Sequence, residues 1–71
     1  MNAKEKKIIE EKVIAYQRAF RLEQKRSSSD DELTRNLAYA SCALSELYED
    51  LFGKEEFFKL MEKNFPEIFK D

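Results

Sequence analysis

Leu33, Leu37, Ala40, Leu44, Leu47 and Leu51 recur at intervals of 4, 3, 4, 3 and 4, the spacing that returns side chains to one side of an α-helix. This stripe predicts a helix over residues 29–52 that buries a leucine face against other helices. An earlier helix is predicted over residues 3–26. In it Ile9, Val13, Tyr16 and Phe20 share a narrow arc, and Ala15, Ala19 and Leu22 widen that arc toward half the circumference.

Between the two patterns, Ser27-Ser28-Ser29-Asp30-Asp31-Glu32 interrupts the periodicity. Ser29 with Glu32 matches a capping box, in which hydroxyl and carboxylate each satisfy a free backbone N–H at a helix start. Capping accounts for these serines without a phosphorylation site. Gly53 is expected to end the second helix, as a residue that adopts the left-handed conformation without strain. A third helix over 54–64 then takes an apolar face from Phe57, Phe58, Met61 and Phe65. A last turn over 66–70 starts at Pro66, with Asn64 and Glu67 repeating the capping pattern.

The expected fold is all-α: a single helical domain over residues 1–71, built as a long helical hairpin with a short third helix, a three-helix bundle that dimerises. Dimerisation follows from size. A core in 71 residues supplies about 3–5 kcal/mol, and small chains usually add disulfides, a structural metal or oligomerisation. One cysteine, Cys42, and no histidine leave no intramolecular disulfide and no Cys/His zinc site. A homodimer with the second helix at its centre is the remaining expectation.

Composition removes further function classes. With no histidine for acid–base work and no Gly-rich turn for a phosphate, no catalytic residue, cofactor site or metal site is expected, and the chain is read as non-enzymatic. Glu46, Glu49 and Asp50 are read as a solvated acidic face. No apolar run approaches the roughly 18 residues of a membrane span, and no apolar stretch follows the N-terminal lysines as in a signal peptide. A cytoplasmic protein with no membrane association is expected.

Two surfaces remain as candidates. Ala38, Ser41, Cys42 and Ser45 lack long side chains and lie away from the leucine stripe, so they are read as a helix–helix interface for a closely approaching further helix. Lys7, Arg18, Arg21 and Lys25 form a basic stripe on the first helix, a candidate electrostatic contact. It belongs to an uneven charge distribution: residues 1–26 sum to +4 and residues 27–71 to −6. The functional expectation is a small protein–protein interaction module, an adaptor, inhibitor or regulatory accessory protein, with a protein partner. The alternative is a nucleic-acid-associated accessory protein using the basic stripe, which the overall net charge of −2 disfavours.

Overall fold

A computed structural model describes residues 2–26 and 32–69. They form α1 (Ala3–Arg26), α2 (Glu32–Phe52) and α3 (Lys54–Asn64), followed by a 3-10 turn over Pro66–Phe69. No strand occurs among the described residues, so the chain is all-α with three helices, as expected. The expected bounds of α1 and α3 coincide with the observed ones. Ser27, Ser29 and the expected start of α2 lie outside the described residues.

Helix α1 opens on a capping box of its own. The Asn2 Oδ1 accepts the Glu5 N–H at 2.9 Å, and the Glu5 carboxylate accepts the Asn2 N–H at 3.3 Å. Helices α1 and α2 are antiparallel. Contacts join Lys6 to Phe52, Glu10 to Tyr48 and Gln17 to Ser45, so numbers rise along one helix as they fall along the other.

Gly53 makes the corner between α2 and α3. Its N–H donates to the Glu49 carbonyl at 2.8 Å, closing α2, and its own carbonyl accepts the Phe57 N–H at 3.2 Å, opening α3. With φ 94° and ψ 157° it occupies an extended positive-φ region open essentially to glycine alone. This differs from the compact left-handed cap expected from sequence, because the residue must start a new helix as well as end the old one. Asn64 also departs from expectation: its side chain donates to the Leu60 carbonyl at 2.9 Å and finishes α3, leaving the 3-10 turn without that cap.

The core lies where the three helices meet. Val13, Tyr48, Met61 and Phe65 are buried, with Ile9, Ile14, Leu44, Phe52, Phe57 and Leu60 packed around them. Tyr48 is central, its ring 4.8 Å from that of Phe52 and 6.4 Å from that of Phe57. The molecule measures 38 × 29 × 17 Å, about two helix layers in its shortest direction. Helix α3 covers one side of the hairpin, and among the described residues no fourth element covers the other.

Candidate functional site

The buried residues of α2 are Thr34, Ser41 and Tyr48, seven apart, a spacing that repeats on one side of a helix. At about 100° per residue this line stands roughly 80° from the centre of the leucine stripe. Ser41 is 3% exposed, while Leu33, Leu47 and Leu51 are 54%, 45% and 46% exposed. The expectation that the leucine face packs inward is therefore corrected. Only its inner edge, Leu37 and Leu44 with Ala40, is half-buried.

The small-residue lane divides in the same rotation. Ala38 and Ser45 are half-buried beside Ser41, and the Ser45 hydroxyl accepts a hydrogen bond from Gln17 Nε2 at 3.1 Å. Cys42 is exposed. The lane does admit a close helix, as small side chains allow, but that helix is α1 of the same chain. Ser41, already covered, is closed to a further helix.

On α1, Ile14, Arg18 and Arg21 lie on the flank that receives α3 and the 3-10 turn. Tyr16 stands about 160° from Ile14 around the helix and is exposed, contrary to its expected burial. The open flank of α1 thus presents Tyr16 beside the exposed Lys12, and that of α2 presents Leu33, Leu47 and Leu51. Between Leu33 and Leu47 this flank of α2 also carries Asn36, Ala40 and Ala43 and no charged residue. On α2 this makes a strip from Leu33 to Leu51 that is apolar apart from Asn36.

The basic stripe is also divided. Lys7, Arg18 and Lys25 are exposed and Arg21 is half-buried. The guanidinium carbons of Arg18 and Arg21 lie 5.6 and 5.0 Å from the centre of the Phe65 ring, within cation–π range. Arg18, Arg21 and Lys25 border one hollow beside Phe65 of about 400 Å³, whereas Lys7 borders a different hollow of about 380 Å³, toward Leu60, which it shares with Arg18.

One ionisable residue is displaced from its ordinary behaviour. Burial raises the pKa of the Tyr48 phenol above its usual 10.0, and the Glu10 carboxylate, which accepts the Tyr48 O–H at 2.7 Å, adds to the rise. The phenol is thereby held neutral and serves to lock α1 to α2. Among the described residues no three His, Cys, Asp or Glu side chains are placed to hold a metal, and no helix is long and apolar enough to cross a membrane. Compared with family models, curated proteins and solved structures, the chain matches none.

Proposed function

We propose that this chain is a small, cytoplasmic, non-enzymatic protein–protein interaction module of the adaptor, inhibitor or regulatory accessory kind, and that its apolar strip is closed by a second copy. The observation that carries this reading is the set of large side chains left outside the core on one side of the hairpin: Leu33, Leu47 and Leu51 of α2, with Tyr16 of α1.

The pattern on α2 suits a second copy as occupant, related by a two-fold axis. Leu33, Ala40 and Leu47 are spaced evenly, so two antiparallel α2 helices crossing at Ala40 set each Leu33 against the partner's Leu47, with the small residue at the crossing.

Sedimentation velocity at micromolar concentration tests this. Wild type is expected to run as a dimer and Leu47→Glu as a folded monomer, because a carboxylate in an apolar contact is costly to bury unpaired. Cys42→Arg, on the exposed side of α2 away from the strip, is expected to stay dimeric. A wild type that remains monomeric at every concentration contradicts self-association through the strip. The nucleic-acid alternative gains no comparable support: Arg18 and Arg21 lie over Phe65, and exposed Tyr16 stands on the flank away from them, so no aromatic platform accompanies the cations.

A further inference from the structure

We infer that the hollow between the C-terminal half of α1 and the start of the 3-10 turn is a binding site for a doubly charged phosphate-type oxyanion, either free phosphate or the phosphate of a small monoester. Arg18, Arg21 and Lys25 border it on one side, and Phe65 and Glu67 on the other. None of the three cations is within ion-pair distance of a carboxylate among the described residues. Elsewhere Lys6 and Arg26 reach Glu56 and Glu23, so pairing is available to this chain where charges lie close.

Two features distinguish the hollow from an ordinary basic surface. Both guanidiniums are laid over a ring that is itself 4% exposed, so they are oriented before any ligand arrives and little side-chain entropy is lost on binding. Planar guanidinium forks match the oxygens of phosphate in paired hydrogen bonds.

Charge selects among oxyanions. Among the described residues, three cations against Glu67 leave a local excess of two positive charges, which a single carboxylate does not balance. A phosphate monoester, with a charge of about −1.5 to −2 at neutral pH, does. Leu22, 59% exposed at the edge of the hollow, offers an apolar rest for an organic substituent. The site lies on the side of α1 that meets Phe65, away from the leucine strip, and does not depend on self-association.

The test is a titration of the full chain with inorganic phosphate, phenyl phosphate and acetate, followed by NMR at Arg21 Nε–H and the Phe65 ring. Both phosphates are expected to produce saturable shifts there, tightening as pH rises through the ionisation that forms the dianion, at about 6 for the monoester and higher for inorganic phosphate. Tighter binding of phenyl phosphate identifies a monoester as the ligand, and equal binding identifies free phosphate. Arg21→Lys keeps the charge but loses the fork, and is expected to weaken binding by roughly tenfold. Lys25→Gln, at an exposed position, is expected to weaken it severalfold with an unchanged melting temperature. Binding should persist in Leu47→Glu whether or not that variant is a monomer. Absence of saturable shifts, equal binding of acetate, or undiminished phosphate binding by both Arg21→Lys and Lys25→Gln overturns the assignment.

Discussion

Replacing Ser41 with leucine places an isobutyl group on the buried face of α2, one turn from the Ser45–Gln17 link to α1. Only 3% of Ser41 is exposed, so the larger side chain cannot turn out to solvent. Its neighbours at the α1 contact, Ala38 and Ser45, are small and half-buried, and Ser45 is tied to Gln17. The added volume must push the helices apart. Overpacking of this kind costs about 1–3 kcal/mol, a large share of the roughly 3–5 kcal/mol that a core of this size supplies. At about 4–8 °C per kcal/mol for domains of this length, the melting temperature should fall by roughly 5–20 °C. Cys42, the next residue, is exposed, and Cys42→Leu should stay within about 0.5 kcal/mol of wild type. Thermal and urea unfolding followed by circular dichroism at one fixed protein concentration reads both variants, the fixed concentration removing any contribution from association. If Ser41→Leu melts with the wild type, or Cys42→Leu falls as far, α1 does not pack on the line of Thr34, Ser41 and Tyr48.

Three further outcomes follow from local geometry. Asn2→Ala removes the side-chain half of the α1 capping box and should cost about 1 kcal/mol in urea titration, even though the residue is exposed. Gly53→Ala meets no atom within 4 Å of the new Cβ, yet should destabilise by about 1–3 kcal/mol because φ 94° strains any side chain. Tyr48 has a folded-state pKa above its unfolded value of 10.0, so the stability from its neutral phenol is complete below pH 10 and is lost as pH rises beyond it. Tyr48→Phe should remove that part of the alkaline fall in urea-unfolding stability, and an identical alkaline profile in both proteins would contradict the burial of the phenol.

The all-α class, the bounds of α1 and α3 and the corner at Gly53 were legible in the sequence because each rests on local signals: period, cap and glycine. The start of α1 carried such a signal too, in Asn2 and Glu5, and the asparagine form of the box was missed beside the more familiar serine. The rotation of α2 was not legible. Hydropathy alone assigns the leucines inward and Thr34 and Ser41 outward. Close packing on α1 instead favours small side chains at the crossing, with Tyr48 completing the line through its bond to Glu10. A periodic apolar face records every surface the sequence is suited to bury, including one left open in the single chain. The hollow beside Phe65 was half legible: Arg18, Arg21 and Lys25 stood out as a stripe, but only the fold brings Phe65 beneath two of them.

Isotope-filtered NMR on a mixture of labelled and unlabelled chains tests the central proposal most directly, since it detects contacts between molecules. Self-association through the strip predicts intermolecular contacts between the methyl groups of Leu33 and Leu47 and around Ala40, with none at Cys42. Intermolecular contacts confined to Cys42 and its neighbours, or none at concentrations where the chain sediments as a dimer, would contradict it.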